Sequence, residues 1–325
     1  MGKTLDVVIT GYPSLDYIFQ VNLSPNIGET AIILNAPDIN DFKEATLGGC
    51  PCNIAVASAR LDLKVGVILV LGNDRVGKLC YKTLRKEGVD TRGVSIIKDG
   101  YSPYSFLFFN PYGKHQTFYY PGVSDYKDVP LRLNEELLQG LHLGVITVGN
   151  PIHIKAVAEF FAKFSIPLLW SLKGDPHAYP KSLVERLIDL SEIIVMNEDE
   201  ANLLKKVLSL PTVRKLLVLL LHRGTKAVIL TMGKRGSRVF TINDDIYIPA
   251  VPPKVFVDPT GAGDAFVAGL LFGLFHELPI HVSARVGAVV SSFVLEARGC
   301  QTNLPKLSEV LGRYKIAFGE ELLWS

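Results

Sequence analysis

Hydrophobic residues occur in short, nearly continuous runs that alternate with segments of helical periodicity. The apolar runs cover residues 5–10, 65–71, 143–149, 166–172, 192–197 and 227–233. Helical patterns lie between them at residues 53–61, 77–87, 153–164, 181–190 and 198–208. Strands that are apolar on both faces are typical of sheets covered by helices on both sides. The alternation therefore predicts an α/β fold with a doubly wound, mostly parallel sheet flanked by helices.

Four further segments lack the crossover helices of this alternation and predict a second, smaller layer. They are residues 12–20, 28–36, 103–110 and 115–120. The last two are joined by NPYGK, a turn-forming sequence typical of a hairpin. We therefore predict a small antiparallel β lid at the edge of the main sheet. Residues 264–316 are mostly helical in pattern and no linker divides the chain, so we expect one domain over residues 1–325 with the lid strands inserted.

The composition is that of an ordinary globular protein. Of the 325 residues, 48% are hydrophobic and 20% are charged, and the formal net charge is +2. This balance argues against nucleic acid and against an acidic membrane surface as partners. The four cysteines fit neither a zinc pattern nor a compact disulfide framework. The sequence has no signal-peptide pattern and no apolar stretch of membrane-spanning length, so we expect a cytoplasmic protein.

The segment VDPTGAGDAF, residues 257–266, contains the clearest candidate chemistry. Gly261 and Gly263 allow close backbone approach ahead of a predicted helix, whose unpaired first-turn N–H groups would attract an anion. Asp264 lies beside them, where the positive helix terminus favours the ionised carboxylate. Such a carboxylate next to a phosphoryl site can accept the proton of a hydroxyl nucleophile. An ordinary helix cap is the alternative from the residues alone.

The sequence DPTGAGDAFVAGLL resembles the C-terminal signature of the ribokinase-like (PfkB) carbohydrate and nucleoside kinases, which is usually D-T-x-G-A-G-D-x-F. Pro259 is a mild departure from that signature. The resemblance implies a ribokinase-like fold, ATP and Mg²⁺, and transfer of the γ-phosphoryl group to a primary hydroxyl. It implies that Asp264 is the catalytic base and that the anion hole consists of the amides of Gly261, Ala262 and Gly263.

Two stretches near the N-terminus resemble the substrate-binding motifs of the family. LGGCPCNIAVASARL, residues 47–61, matches a Gly-Gly pair followed by Asn on a helix, and GYPSLD, residues 11–16, matches a stretch whose Asp binds sugar hydroxyls. Taken alone, the Gly-Gly pair suits an ordinary loop before a helix, and the Asp suits a surface turn. The substrate-binding residues that the resemblance implies are Asp16, Gly48, Gly49, Asn53 and, at a strand end, Asn150.

Two strand ends resemble the nucleotide and metal site of the family. NEDE, residues 197–200, matches N-x-x-E, and TMGKRGS, residues 231–237, matches T-x-G-x-x-G. Mg²⁺ prefers oxygen ligands and keeps several waters, so a carboxylate acting through water is reasonable. The alternatives are a capping box for the first stretch and a hairpin turn for the second. The implied residues are Asn197 and Glu200 for Mg²⁺ and phosphate, and Thr231, Gly233 and Gly236 for the nucleotide.

LEARGCQTNLP, residues 295–305, resembles a loop that helps to hold a monovalent cation such as K⁺ in several family members. Backbone carbonyls supply most of the ligands there. The matching positions are Asp258, Thr260, Val294, Ala297, Gly299 and Asn303. The matches to the family run in order from residue 11 to residue 305, and the chain contains no Walker A sequence.

The resemblance implies that the substrate is a nucleoside or a sugar, and the sequence slightly favours a nucleoside. The Gly-Gly-to-Asn stretch reads CPC and lacks the Lys that sugar-type members often carry there. Aromatic rings of the lid could stack on a base, although the simpler alternative is the hydrophobic face of a strand layer. These aromatic residues are Tyr12, Tyr17, Phe19, Phe106, Phe108, Phe118 and Tyr119.

Two other functions stay open at this point. One is a sugar kinase of the ribokinase, fructokinase or 2-keto-3-deoxygluconate kinase type. The other is a non-catalytic sugar- or nucleotide-binding module, against which the intact Asp264 argues. Because such layers pair between subunits in some relatives, a homodimer through the lid is compatible with the resemblance.

Overall fold

A computed structural model describes residues 4–35, 45–112 and 115–324 of the chain. Strands and helices alternate along most of it, as the apolar runs predict. The strands are β1 (Val7–Thr10), β2 (Ser14–Gln20), β3 (Thr46–Gly48), β4 (Val65–Gly72), β5 (Asp90–Ile97), β6 (Tyr104–Phe109), β7 (His115–Tyr120), β8 (Leu143–Ile146), β9 (Leu168–Ser171), β10 (Ser191–Asn197), β11 (Ala227–Thr231), β12 (Ser237–Phe240) and β13 (Asp245–Ile248). The helices are α1 (Cys50–Arg60), α2 (Arg75–Lys86), α3 (Pro151–Lys163), α4 (Lys181–Leu190), α5 (Glu198–Val207), α6 (Val213–His222), α7 (Ala262–Phe275), α8 (Ile280–Val294) and α9 (Leu307–Phe318).

The main sheet has nine strands in the order β13-β12-β11-β10-β9-β8-β1-β4-β5. The seven strands from β11 to β5 are parallel to their neighbours, and β12 and β13 add an antiparallel edge. β1 lies inside the sheet, where Val7 pairs with Val65 on one side and with Leu143 on the other. The doubly wound, mostly parallel sheet is therefore confirmed.

Helices cover both faces of this sheet and enclose two hydrophobic cores. Side chains alternate between the faces of a strand, so Val7 and Ile9 enter one core and Val8 enters the other. The first core is completed by α1, α2, α7, α8 and α9, and contains Phe272. The second is completed by α3, α4, α5 and α6, and contains Trp170. Burial on both faces explains why these strands are continuous apolar runs in the sequence.

A second sheet of four strands, in the order β3-β2-β6-β7, forms the lid. Its outer pairings, β3 with β2 and β6 with β7, are antiparallel, whereas β2 and β6 are parallel. Three of the four predicted lid segments form strands, at residues 14–20, 104–109 and 115–120.

The predicted lid strand at residues 28–36 is wrong over its described part, residues 28–35. This stretch forms one isolated bridge, between Val21 and Ile33. It lies beside the C-terminal end of β2, and its apolar side chains, such as those of Ile32 and Leu34, are exposed. The sheet gains its fourth strand from β3 instead, which has three residues and therefore too short a pattern to detect. Residue 36 lies outside the described residues.

Some elements escaped the sequence pattern, although the mostly helical C-terminal region contains α7, α8 and α9 as expected. β5 interrupts its apolar residues with Arg92 and Gly93, and the β12–β13 hairpin alternates exposed and buried positions. α6 reads VRKLLVLLLH, in which apolar residues occupy nearly every position. Periodicity does not separate so uniform a run from a buried strand.

Candidate active site

The predicted site residues gather at the carboxyl edge of the main sheet. Asn197 and Thr231 end adjacent parallel strands and are register partners. Asp264 lies in the first turn of α7, and Asn53 on α1 donates a hydrogen bond from Nδ2 to its Oδ2 at 2.8 Å. This bond joins two motifs that are 211 residues apart in sequence. Ligand sites of doubly wound folds form at this edge of the sheet.

Asp264 is held by neighbouring side chains and is partly buried. The Cys50 thiol also donates to its carboxylate, and Gln301 Nε2 donates to Asn53 Oδ1 at 3.0 Å. Burial raises the pKa of Asp264 above 3.8, whereas the Lys173 ammonium and the two hydrogen bonds oppose the rise. The positive end of the helix alone would lower the pKa of Asp264, but the effect of burial is larger. A raised pKa makes the ionised carboxylate a stronger proton acceptor.

The turn before α7 requires glycine at position 261. Gly261 has φ 81°, in the left-handed region, and a Cβ there would lie 2.7 Å from the Cβ of Cys300. Ala262 N–H donates to the Pro259 carbonyl at 3.2 Å, so this member of the predicted anion hole is already engaged. The first-turn N–H groups of Gly263 and Asp264 have no acceptor within the helix, and the space beside Gly263 is open. An anion would therefore meet chiefly these last two amides.

Asp16 lies in β2 with 7% of its surface exposed, so it is not a surface-turn residue. Ser14 Oγ donates to its Oδ1 at 2.6 Å and lies 2.7 Å from Ser105 Oγ. Burial raises the pKa of Asp16 to about 6, against the effect of the two serine hydroxyls. A Cβ at Gly48 would lie 1.9 Å from Asp16 Oδ2, so only glycine admits this carboxylate. The two serines were missed, although strand alternation places Ser14 on the face of Asp16.

The lid aromatic residues divide between two faces. Asp16, Ser105 and Tyr119 are register partners across β2, β6 and β7, so their side chains share one face. The Tyr12 ring lies 5.3 Å from the Tyr119 ring on that side. The other aromatic residues pack together on the opposite face, as the simpler alternative predicts: Tyr17, Phe19, Phe106, Phe108 and Phe118.

Two predicted substrate contacts also serve as helix caps. Gly49 is the N-cap of α1 with φ 80°. Asn150 caps α3, because its Oδ1 accepts from Ile152 N–H at 2.9 Å, and its Nδ2 donates to Asp125 Oδ1 at 3.0 Å. Both ends of the Asn150 amide are thus occupied within the protein. Its contact with substrate stays a prediction.

Asn197 and Glu200 form the capping box that the sequence offered as an alternative. Asn197 Oδ1 accepts from Glu200 N–H at 2.9 Å, and Glu200 Oε2 accepts from Asn197 N–H at 2.7 Å. Burial raises the pKa of Glu200 to about 7, while the backbone donors of Asn197 and Gly174 and the Lys173 ammonium oppose the rise. A role in binding Mg²⁺ is compatible with this cap and stays a prediction.

Thr231, Gly233 and Gly236 belong to the hairpin between β11 and β12. Thr231 pairs with Ser237 across it, and Met232 N–H donates to the Gly236 carbonyl at 2.8 Å. The hairpin alternative is therefore correct for the glycines. Because Thr231 lies beside Asn197, the same loop still adjoins the predicted phosphate side of the site.

Asp258 ties the turn before α7 to the loop that follows α8. Its Oδ1 accepts from the Thr260 N–H at 2.9 Å and from the Thr260 hydroxyl at 2.6 Å, and its Oδ2 accepts from Gly299 N–H at 3.0 Å. Val294 and Ala297 lie at the end of α8 and just beyond it, and Asn303 Nδ2 donates to the Phe293 carbonyl at 2.8 Å. The six residues predicted for a monovalent cation thus share one region.

Lys173 is the main residue that motif matching missed. It follows β9 at the carboxyl edge of the sheet. The nearby acidic groups of Cys50, Asp264 and Glu200 raise the pKa of its ammonium. The sequence did contain a signal for this residue, because Lys173 is the first charged residue after the predicted strand at residues 166–172.

The described part of the chain contains neither a cluster of metal-ligating side chains nor a membrane-spanning helix. Over residues 4–35, 45–112 and 115–324, no three His, Cys, Asp or Glu side chains cluster so as to hold a metal ion. In the same part of the chain, no helix has both the length and the apolar character to cross a bilayer.

Comparisons with known proteins agree with these motifs. The profile of the pfkB family of carbohydrate kinases matches residues 41–307. A nucleoside kinase from Methanothermobacter thermautotrophicus is 26% identical over 99% of both chains. A 5-dehydro-2-deoxygluconokinase from Geobacillus kaustophilus is 25% identical over 87% of this chain and 91% of its own. The fold is similar to that of a Burkholderia thailandensis nucleoside kinase solved with inosine, with a TM-score of 0.83, 21% identity, and coverage of 97% of this chain and 100% of that one.

Proposed function

Because the chain belongs to the pfkB family of carbohydrate kinases, we propose that it transfers the γ-phosphoryl group of ATP to a primary hydroxyl of a nucleoside. Asp264 accepts the hydroxyl proton, and the hydroxyl oxygen forms a bond to the γ-phosphorus. The bond between that phosphorus and the bridging oxygen breaks, and ADP leaves. The amides of Gly263 and Asp264, together with that of Gly261, stabilise the negative charge of the transferring group.

Asn197 and Glu200 would hold Mg²⁺ through water. The fit rests on the buried Glu200 carboxylate, whose pKa of about 7 a nearby cation would lower, so that the ionised form is favoured. Mg²⁺ is commonly held by one or two carboxylates together with substrate phosphates, which agrees with the lack of a protein-only metal cluster among the described residues. When bound, the ion neutralises phosphate charge.

One observation favours a nucleoside over a free sugar. Tyr12 and Tyr119 place two rings, 5.3 Å apart, on the side of the lid sheet that carries Asp16. Asp16 would accept hydrogen bonds from two adjacent ribose hydroxyls, and the rings offer a surface on which a base can stack. A free sugar has no base that could stack on these rings. The nucleoside kinase similar over the full chain supports the same choice.

The test is a coupled ADP-release assay with adenosine, inosine, cytidine, ribose, fructose and 2-keto-3-deoxygluconate. We expect kcat/KM for at least one nucleoside to exceed that for ribose by about tenfold or more, because stacking of one base contributes about 1–3 kcal/mol in other proteins. A free sugar that reacts faster than every nucleoside would establish the sugar-kinase alternative. Ligand-induced shifts in melting temperature without turnover would favour the non-catalytic binding module.

We further propose that K⁺ binds beside Asp258. This carboxylate is 4% exposed, and none of the described ion pairs includes it, so its buried charge lacks a protein cation there. A monovalent ion held by it and by neighbouring carbonyls would supply that charge. We expect replacement of K⁺ by tetramethylammonium at constant ionic strength to lower kcat severalfold. Equal rates in the two salts would argue against the site.

We also propose that the protein forms a homodimer through the lid and that it is cytoplasmic. Ile32, Leu34 and Phe118 are each at least 60% exposed on the lid or beside it, which is typical of surfaces that become covered. We expect sedimentation equilibrium to give a dimer mass that Phe118→Asp reduces to that of the monomer. A monomeric wild-type protein at micromolar concentration would exclude this pairing, and cell fractionation tests the location.

A further inference from the structure

Lys173 has a fixed backbone at the edge where phosphoryl transfer would take place. Leu172 N–H donates to the Val195 carbonyl at 2.9 Å, which ties this segment to β10. Lys173 N–H donates to the Tyr179 hydroxyl at 3.1 Å, and its carbonyl accepts from Asp175 N–H at 2.7 Å. The Lys173 side chain therefore starts from a defined point between β8 and β10, and it is exposed.

Lys173 lies near the two carboxylates of the candidate site, Glu200 and Asp264. The next residue, Gly174, donates its N–H to the Glu200 carboxylate, so the backbone at residues 173–174 adjoins the predicted metal side. The Lys173 ammonium also acts on the Asp264 carboxylate, on the side of the proton acceptor. Lys173 therefore lies at the edge of the sheet that also carries Glu200 and Asp264.

The ammonium has not been neutralised by either carboxylate. Other lysines, such as Lys226 with Glu192 at 2.8 Å, form ion pairs, but none of the described carboxylates lies within 4.0 Å of Lys173 Nζ. A lysine that served only to keep Asp264 ionised would gain most from direct contact. Within residues 4–35, 45–112 and 115–324, its three N–H donors therefore have no carboxylate partner and can bind a ligand.

The chemistry of the site also calls for a cation. Asp264 and Glu200 flank the path of a phosphoryl group that is itself negative, so they repel it. One of the three predicted anion-hole amides, that of Ala262, is already bonded to Pro259. In addition, the segment between Gly49 and Asn53 contains no basic residue.

We propose that the Lys173 ammonium binds an oxygen of the γ-phosphoryl group during its transfer, as a catalytic residue contributed by the end of β9. This inference rests on the proposed function. The new bond joins the substrate oxygen to phosphorus, the bond from phosphorus to the bridging oxygen breaks, and the proton goes to Asp264. Lys173 keeps its three protons and stabilises charge by donating hydrogen bonds.

The test compares Lys173→Ala with Lys226→Ala, a matched loss of an exposed lysine far from the site. We expect Lys173→Ala to lower kcat by about 100- to 1,000-fold, in line with the loss of one charge-stabilising donor, with KM for the hydroxyl substrate nearly unchanged. Lys226→Ala should have wild-type kinetics. A kcat for Lys173→Ala within about threefold of wild type would overturn the inference.

The pH profile separates phosphate binding from an effect on the base. Lys173 lowers the pKa of Asp264, so a purely electrostatic role predicts that Lys173→Ala moves the acid limb of the profile upward and that higher pH restores the rate. Binding of phosphate predicts a deficit that persists above that limb. Full recovery at high pH would therefore reject contact with the phosphoryl group.

A binding measurement keeps the test independent of the substrate class. Titration calorimetry with ATP and with ADP measures the preference for the γ-phosphate, which we expect Lys173→Ala to reduce by about tenfold, the effect of losing one charged hydrogen bond. An unchanged ATP-to-ADP preference would contradict the inference. If the wild-type enzyme phosphorylates sugars alone, the nucleoside proposal fails, whereas this ratio still decides the role of Lys173.

Discussion

Replacement of Asp264 by Asn is expected to lower kcat by about two to four orders of magnitude, the usual contribution of a general base. The amide keeps the size of the side chain and can still accept from Asn53, which donates to this position at 2.8 Å in the wild type. It cannot take the proton of the attacking hydroxyl at neutral pH. The loss should therefore appear in kcat, with KM for both substrates changed little.

The measurement is steady-state ADP release over a range of pH. The wild-type rate should fall as pH decreases through the pKa of Asp264, which burial raises above 3.8, because the base must be ionised. Asp264→Asn should lack this acid limb. Asp245→Asn, which removes an exposed partner of Arg238, is the matched control and should leave kcat unchanged. A variant at position 264 that kept a tenth or more of the wild-type kcat would rule out its assignment as the base.

Replacement of Asp16 by Asn is expected to lower kcat/KM by about two to four orders of magnitude, mainly through KM. Two hydrogen bonds from substrate hydroxyls to a charged acceptor contribute roughly 1.5–3 kcal/mol each. Burial raises the pKa of Asp16 to about 6, so the folded protein binds its proton more tightly than the unfolded chain does. The stability cost of that carboxylate grows as pH rises through about 6. The neutral amide removes this cost, so the variant should be no less stable at pH 7.5.

A modified substrate tests the Asp16 contact directly. The wild-type enzyme should use 2′-deoxy or 3′-deoxy nucleosides poorly, whereas Asp16→Asn should discriminate little between them and the parent nucleoside. Combining the protein variant with the deoxy substrate gives a thermodynamic cycle, which isolates the interaction between the Asp16 carboxylate and the substrate hydroxyl. If the wild type and Asp16→Asn discriminated equally between deoxy and parent nucleosides, the substrate hydroxyls would not bind at Asp16. Thermal unfolding at pH 5 and pH 7.5 verifies that the variant is folded.

The sequence predicted the main sheet well because its strands are buried on both faces. Runs such as residues 65–71 and 227–233 are apolar at nearly every position and are therefore easy to recognise. β4 overlaps the first run, and β11 lies within the second. The lid was harder, because β6 is only half-buried and β3 has only three residues. Apolar residues at 28–36 gave a strand-like pattern, but pairing with β2 ends near Val21 and leaves them exposed.

The candidate site was predicted as far as its motifs extend. Asn53 and Asp264 do meet, and Asn197 adjoins Thr231. Ser14 and Gln301 lie within matched stretches at positions to which the resemblance assigns no role, and Ser105 and Lys173 lie outside those stretches. Gln301 donates to Asn53, which lies in another part of the chain, and Ser105 Oγ lies 2.7 Å from Ser14 Oγ. Such contacts depend on tertiary packing, which spacing along one sequence does not encode. The chemical roles of the matched residues stay predictions until the variants are measured.

The alternating faces of β2 have an evolutionary consequence. Leu15, Tyr17 and Phe19 anchor the strand in the protein interior, while Asp16 and its register partners point the other way. Natural selection can therefore alter Asp16 and its register partners, which we propose face the substrate, one at a time without disturbing the buried row. A lid built in this way allows new substrate preferences to arise by point substitution on an unchanged scaffold, which suits a family whose members act on chemically diverse alcohols.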